Sequence, residues 1–348
     1  MQPTTMTKDH HEPRTSASPE APEAMRALLQ TGYGAADVLK VGTIERPRPG
    51  VGEVIVEVRA AGLDRGTWHL MTGRPYLVRL MGYGFLAPKN PVPGIDLAGV
   101  VREVGPGVTR LRPGDEVFGI GQGTFAEYAR AREEKLALKP ACLSFEEAAV
   151  SGVSALTAFQ ALGAAGGVKA GERVLVIGAS GGVGTFAVQL ARALGAEVTA
   201  VASEGKLDLV RSLGASRAVD YRAEDLADGL TLYDRILDIG GNNPLARLRR
   251  ALTPTGCLIF VGGEAGGDWT AGFGRQLWAM AIARFVRQRF VMLMADESGE
   301  DLERLAELAS RGAFRPVIDR RVGLAEVAPA MRDLEAGRVR GKVVVTPS

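Results

Sequence analysis

The chain has 348 residues, and 46% of them are hydrophobic, which is enough to form the cores of two domains. Its net charge of +2 is small and no basic stripe with interleaved aromatic residues occurs, so no nucleic-acid partner is expected. The two cysteines, Cys142 and Cys257, lie far apart in apolar segments, which predicts two buried thiols and favours a reducing, cytoplasmic compartment.

The first part of the chain, residues 1–24, is polar and rich in proline. It lacks the apolar stretch of a signal peptide or membrane anchor, so we expect a disordered tail. The most apolar later stretch, 277–286, is short and contains Arg284, so no membrane span is expected. Between residues 25 and 150, short strands alternate with glycine and proline, which is typical of a mostly antiparallel, barrel-like β domain.

Strands and helices alternate from residue 151 to 294, which predicts a doubly wound α/β sheet with helices on both faces. The predicted strands are 174–177, 198–201, 218–220, 235–238, 258–261 and 290–294. The final block, 295–348, is predicted to contain a helix, a strand, a second helix and a closing strand, at 301–310, 316–320, 325–335 and 342–345.

A glycine-rich turn joins the strand 174–177 to a helix, which is the context that a dinucleotide-binding fingerprint requires. Gly178 permits the tight turn, and Gly184 allows the helix to pack closely on the strand. Gly181 and Gly182 let the backbone approach a pyrophosphate at the helix N-terminus. The alternative is a tight turn without a ligand. The residues of the turn that are expected to bind the dinucleotide are Gly178, Ala179, Ser180, Gly181, Gly182, Val183 and Gly184.

The end of the next strand bears on the choice of cofactor. It lies about 20 residues past the turn, where an NAD enzyme places an acidic residue on the ribose. This chain has Ser203 there, whose hydroxyl can donate to a 2′-phosphate, and Lys206 follows within reach. NADPH is therefore favoured over NADH. Glu204 could turn inward instead, and Ser203 with Glu204 could simply begin a helix.

Further motifs occur in a fixed order along the chain, among them Pro93-Gly-Ile-Asp-Leu-Ala-Gly-Val-Val101 and Arg340-Gly-Lys-Val-Val-Val345. Together with the glycine-rich turn they resemble the medium-chain dehydrogenase/reductase family, most closely its zinc-free quinone oxidoreductase branch, which includes reticulon-interacting mitochondrial enzymes. The similarity covers residues 25–348. It implies a GroES-like, β-rich catalytic domain, formed by 25–150 and 295–348, and a Rossmann cofactor domain at 151–294.

The resemblance also implies functions for single residues. Thr157, Ser203, Lys206 and Tyr221 match positions that hold the nicotinamide-side phosphate or the adenosine 2′-phosphate, and Lys342 matches a position close to the active site. The phenol of Tyr221 independently favours NADPH, because it can donate to a phosphate. In the family, the edge strand that corresponds to 290–294 pairs with its twin across a two-fold axis, so we expect a homodimer.

Metal binding is not expected. By the resemblance, zinc-containing relatives have a cysteine where this chain has Ala61 and Gly62 and a His-Glu pair where it has Ile95 and Asp96, and the structural-zinc loop is missing. A zinc site needs three or four nitrogen, sulfur or carboxylate ligands. The histidines of this chain are His10, His11 and His69.

Three residues of the first domain are candidates for catalysis. Zinc-free relatives have an Asn and an Asp where this chain has Asp64 and Thr67, and His69 falls where many relatives place a Tyr near the substrate. His69 titrates near neutral pH and is the first choice as proton donor, and Asp64 could accept a hydrogen bond or donate a proton. Alternatively, His69 is a polar loop residue, and Asp64 caps a helix that begins near Gly66.

The sequence thus predicts a metal-free, NADPH-dependent oxidoreductase that transfers hydride to a quinone, an enone or enal, or a carbonyl compound. We expect the acceptor in a cleft between the domains, near Gly262 after the strand 258–261. The apolar segment 76–86 could line a pocket for a small hydrophobic electrophile, act as a lid, or form a helix packed on the core. The alternative function is an NADPH-binding redox sensor or scaffold with little turnover.

Overall fold

The computed structural model describes residues 23–76, 79, 83–226, 229–241, 243–262 and 273–347. An antiparallel hairpin of β1 (Ala24–Gln30) and β2 (Leu39–Glu45) opens the described chain. Two large sheets follow, one built from both ends of the chain and one from its middle.

The seven-stranded sheet is antiparallel except for one pair of strands from the C-terminal segment. That segment therefore completes a sheet begun near the N-terminus, as the split domain requires. The strands in sheet order are β14 (Ile318–Gly323), β15 (Lys342–Thr346), β3 (Glu53–Leu63), β4 (Asp96–Val104), β5 (Glu116–Ile120) and β7 (Leu136–Leu138), and β6 (Tyr128–Arg132) pairs with β3.

The six-stranded sheet is entirely parallel. Its strands in sheet order are β10 (Arg217–Asp220), β9 (Glu197–Ala202), β8 (Arg173–Ile177), β11 (Tyr233–Asp238), β12 (Leu252–Phe260) and β13 (Arg289–Met292). Because β8 lies between β9 and β11, the strand order reverses at β8. In open α/β sheets, the crevice beyond the carboxyl ends of the strands at such a switch point is where ligands bind.

Nine α-helices surround the sheets in the described parts of the chain. They are α1 (Arg65–Thr72), α2 (Phe145–Ala149), α3 (Gly152–Gly163), α4 (Gly182–Ala193), α5 (Leu207–Ser212), α6 (Leu245–Ala251), α7 (Phe273–Ala283), α8 (Gly299–Ser310) and α9 (Val327–Glu335). One core cluster contains side chains of β4, β5, α3, α4 and β8, so the two sheets share packing through α3 and α4. No helix among the described residues is both long and apolar enough to cross a membrane.

The expected fold, a β-rich domain plus a doubly wound sheet, is confirmed, and all six strands predicted for the middle block are present. The strand predicted at 258–261 is longer and begins at Leu252. Cys257 is buried as predicted, but the prediction for Cys142 is wrong, because it lies exposed on the loop between β7 and α2. Ala24 already belongs to β1, and the rest of the predicted tail, apart from Glu23, lies outside the described residues. The domain boundaries at 150 and 294 stay predictions.

Candidate active site

The glycine-rich turn lies between the end of β8 and the start of α4, at the switch point of the parallel sheet. Gly178 has φ +85°, a conformation that residues with side chains rarely adopt. A Cβ on Gly184 would lie 2.2 Å from the Gly178 carbonyl oxygen, so only glycine fits there. Gly181 is the N-cap of α4, and as a glycine it has no side chain that could bond the first N–H groups of the helix. The first turn of α4 also contains no acidic residue. The backbone N–H groups of this turn are therefore suited to a pyrophosphate.

The structure brings Ser203, Lys206 and Tyr221 to one edge of the same sheet. Ser203 follows β9 directly and Tyr221 follows β10, and the last residues of these strands are paired. Ser203 makes no side-chain cap, although a short 3₁₀ helix, Glu204–Lys206, does begin after it. Glu204 and Tyr221 are both exposed. The arrangement brings Ser203 and Tyr221 together at the carboxyl ends of two neighbouring strands.

Lys206 and Arg340 connect this edge to the loop between α9 and β15. The Lys206 ammonium donates to the carbonyls of Gly337 and Val339, both at 2.7 Å. Arg340 donates to the carbonyl of Gly205 at 2.7 Å. Burial and, secondarily, the charge of Arg340 lower the pKa of Lys206. Arg340 is a functional candidate that sequence reasoning missed, since nothing local indicates that it meets a residue 135 positions away.

Lys342 forms a buried ion pair with Asp96 at 2.8 Å, and the two side chains are 2% and 0% exposed. The second Asp96 oxygen accepts from the backbone N–H of Val153 at 2.6 Å, in the first turn of α3. Burial raises the pKa of Asp96 to about 6, against the lowering effect of Lys342, and Asp64 adds to the rise. Lys342 was a predicted site residue, whereas Asp96 was noted only as the place of a missing metal ligand.

Asp64 caps α1, which begins at Arg65, so the capping interpretation of this residue is confirmed. One Asp64 oxygen accepts from the backbone N–H of Thr67 at 2.7 Å. The other Asp64 oxygen and the Thr67 hydroxyl are buried and have no hydrogen-bond partner among the described residues. Buried polar atoms without partners are costly, so these two atoms are suited to a bound ligand or ordered water.

His69 lies two residues beyond Thr67, about 200° further around the helix. It is half-buried, and its Nδ1 lies 2.7 Å from the carbonyl oxygen of Arg74. Because a carbonyl can only accept, Nδ1 carries the proton of this bond and Nε2 is the nitrogen that can gain or lose one. The structure thus keeps His69 apart from Asp64 and Thr67 on α1.

A cavity of about 350 Å³ lies beside Ile95, the residue before Asp96. Its apolar lining includes Leu70 of α1 and Ile120 of β5, and Gln122 and Lys89 contribute polar groups. Of the apolar segment 76–86, Tyr83 lines the cavity, Phe85 and Leu86 are exposed, and residues 77, 78 and 80–82 lie outside the described residues. The cavity is large enough for a small flat acceptor.

Two further predicted site residues, Gly262 and Thr157, lie after β12 and in α3. A Cβ on Gly262 would lie 2.1 Å from the Ile239 carbonyl oxygen, so the chain after β12 passes directly over the chain after β11. This close crossing lies at the carboxyl edge of the sheet. The Thr157 hydroxyl donates to the Val153 carbonyl of its own helix at 2.7 Å, so it must rotate before it can donate to a phosphate.

Comparison with known proteins agrees with this geometry. Residues 50–141 match the alcohol dehydrogenase GroES-like domain, and residues 213–345 match a family described as zinc-binding dehydrogenase. A 2-methylene-furan-3-one reductase of Solanum lycopersicum is 34% identical over 96% of this chain and 82% of its own. The human mitochondrial NAD(P)H oxidoreductase RTN4IP1 is 32% identical over 95% of this chain and 91% of its own. The chain belongs to the medium-chain dehydrogenase/reductase family.

Among solved structures, the quinone oxidoreductase of Coxiella burnetii matches this medium-chain dehydrogenase/reductase with a TM-score of 0.82 and 29% identity, over 94% of this chain and 100% of the other. The chain is therefore an oxidoreductase with a GroES-like domain and a Rossmann domain that binds a nicotinamide cofactor. Among the described residues, no group of three or more His, Cys, Asp or Glu is placed to hold a metal ion.

Proposed function

We propose that this enzyme uses NADPH to reduce a small hydrophobic electrophile, namely a quinone, an enone or enal, or a carbonyl compound. The observation that carries the proposal is the uncapped, glycine-lined N-terminus of α4 at the switch point of the parallel sheet. The cofactor supplies a hydride from its nicotinamide ring. Lys342 lies against Gly182 at the start of α4, and its partner Asp96 follows Ile95, which lines the cavity where the acceptor would bind.

The preference for NADPH rests on four side chains at one edge of the Rossmann sheet. Ser203 and Tyr221 offer hydroxyl donors, and Lys206 and Arg340 supply positive charge for a 2′-phosphate. Fluorescence titration with NADPH and NADH tests this choice. We expect NADPH to bind more tightly by about tenfold or more, because one charge-assisted hydrogen bond is worth ~1.5–3 kcal/mol. Tighter binding of NADH would contradict the assignment.

The acceptor class is supported by the names of the relatives, one a 2-methylene-furan-3-one reductase and another a quinone oxidoreductase. The unpaired oxygens of Asp64 and Thr67 would hydrogen-bond the acceptor or the cofactor ribose. His69, from the outer face of α1, is the proposed proton donor through Nε2, with water carrying the proton to the cavity.

We propose that the reaction needs no metal, because the positions that correspond to zinc ligands of relatives hold other residues. Elemental analysis of the purified enzyme, with and without chelator treatment, tests this. We expect less than stoichiometric zinc and unchanged turnover after chelation. Stoichiometric zinc would overturn the proposal.

We also propose a cytoplasmic homodimer. Strand β13 is the last strand of the six-stranded sheet and pairs with β12 on one side. In the described part of the chain no strand pairs with its other side, so this edge can pair with β13 of a second copy. Sedimentation should give twice the mass of the chain, and a proline at Met292, whose N–H faces away from β12, should shift it to the monomer. A parent enzyme that sediments as a monomer would refute the dimer.

The alternative is an NADPH-binding redox sensor or scaffold. It is favoured by one observation, the Asp64 and Thr67 pair where zinc-free relatives have an Asn and an Asp. A screen of NADPH oxidation with quinones, enals and aldehydes separates the two functions. Turnover with any of them supports the enzyme, and bound NADPH that none of them oxidises supports the sensor.

A further inference from the structure

The ion pair of Asp96 and Lys342 connects four elements, namely β4 and β15 of the seven-stranded sheet and the helices α3 and α4. Asp96 begins β4 and Lys342 begins β15, both in the seven-stranded sheet. Asp96 also accepts from the backbone of Val153 in α3. The Lys342 stem lies against the first residue of α4, because a Cβ on Gly182 would come within 2.9 Å of the Lys342 Cδ. The pair therefore contacts both helices that pack between the sheets.

The backbone before Lys342 is attached to the phosphate-binding turn itself. The N–H of Gly341 donates to the carbonyl of Ser180 at 2.8 Å, and Gly181 and Gly341 form an isolated parallel bridge. Gly341 has φ +72°, and a Cβ there would lie 2.4 Å from the Val317 carbonyl oxygen, so only glycine fits. The position of Lys342 relative to the turn is thus set by backbone contacts.

Both Asp96 oxygens are enclosed. A Cβ on Gly62 would lie 2.6 Å from one of them, and a Cβ on Gly152 would lie 2.6 Å from the other. Since the carboxylate cannot move without displacing backbone, it holds the Lys342 ammonium in one place. Two of the three ammonium donors remain for other acceptors once Asp96 has taken one.

We propose that Asp96 is a positioning residue, which holds Lys342 against the start of α4 beside the phosphate-binding turn and so fixes where the nicotinamide end of the cofactor lies relative to the acceptor. This inference rests on the proposed function. The residue acts through Lys342 and through the domain contact, and it exchanges no proton with the substrate.

The experiment compares Asp96→Asn with the double variant Asp96→Asn/Lys342→Met in the full chain. Asn keeps an acceptor for Val153 but leaves Lys342 without its anion, so the single variant should melt at a lower temperature. The double variant removes both charges and should melt close to the parent, because replacing a buried pair by neutral residues is often tolerated. We expect kcat to fall by about tenfold or more in both, since small misplacements of reactants cost up to 10²-fold.

The matched control is Glu172→Gln, which breaks the pair with Arg235 at 2.8 Å, where Arg235 is 3% exposed. It should lower the melting temperature but change kcat and the NADPH Kd by less than about twofold. If the double variant regains both melting temperature and kcat, the pair merely holds the domains together and the proposal is wrong.

A second readout needs no turnover. Bound NADPH in the parent should show enhanced nicotinamide fluorescence anisotropy, and both Asp96 variants should bind NADPH with reduced anisotropy. Unchanged anisotropy in the folded double variant would overturn the positioning role. If the parent binds NADPH but reduces no acceptor, the proposed function fails while this readout still decides the positioning role.

Discussion

Replacing Gly184 with alanine tests whether the turn after β8 depends on a close backbone approach. The added Cβ would lie 2.2 Å from the Gly178 carbonyl oxygen and 2.6 Å and 2.7 Å from two Ala179 backbone atoms. Backbone atoms cannot rotate away, so the cost belongs at the upper end of the ~1–3 kcal/mol typical of overpacking. Alanine recovers ~1 kcal/mol through its higher helix propensity. The net expected destabilisation is about 2 kcal/mol, or roughly 4–8 °C in melting temperature.

The assay is thermal unfolding followed by circular dichroism, together with NADPH titration. We expect the NADPH Kd of Gly184→Ala to rise by about tenfold or more, because the displaced turn loses a charge-assisted hydrogen bond worth ~1.5–3 kcal/mol. Gly163→Ala is the control, since a Cβ at this α3 residue meets nothing within 4 Å. A Gly184→Ala enzyme that melts and binds NADPH like the parent would refute the reasoning.

Lys206→Ala should raise the NADPH Kd by about tenfold and leave the NADH Kd unchanged, because it removes one charge from the 2′-phosphate site; equal losses for both cofactors would contradict this. His69→Gln should lower kcat by about 10²-fold with NADPH affinity kept, because it removes the proposed proton donor; an unchanged kcat would mean that water alone delivers the proton. Burial raises the pKa of Asp96 from 3.8 to about 6. Between pH 3.8 and about 6, Asp96 keeps its proton in the folded chain and loses it in the unfolded chain. The contribution of Asp96 to the free energy of unfolding therefore falls as pH rises through this range. Urea titrations at several pH values should show the free energy of unfolding falling with pH in the parent and changing less in Asp96→Asn. Equal dependence on pH in both would be inconsistent with the raised pKa.

Local patterns made much of the fold predictable. The apolar run of β8, its glycine-rich turn and the amphipathic α4 are contiguous, so their geometry follows from neighbouring residues. The cap on α1 was also predictable, because Asp64 and the N–H that it accepts are three positions apart. Cys142 was misjudged because an apolar neighbourhood in sequence does not ensure burial of a loop residue.

The contacts that link the two domains could not be predicted in the same way. Asp96 and Lys342 are 246 positions apart, and Arg340 meets Gly205 across 135 positions. Their proximity depends on the C-terminal strands returning to the first sheet, which no local spacing encodes. In the sequence, an Asp beside an apolar strand residue is typical of an ordinary strand end, and only the structure shows that Asp96 has the buried partner Lys342.

The central claim is that NADPH bound at the switch point gives hydride to an acceptor in the cavity beside Ile95. Its most direct test is turnover of NADPH that carries deuterium at both C4 positions of the nicotinamide with an enone acceptor, followed by mass spectrometry of the product. The account predicts one deuterium on carbon in the product, and a slower reaction with NADH. Bound NADPH that no quinone, enone or carbonyl acceptor oxidises, or a product without deuterium, would contradict it.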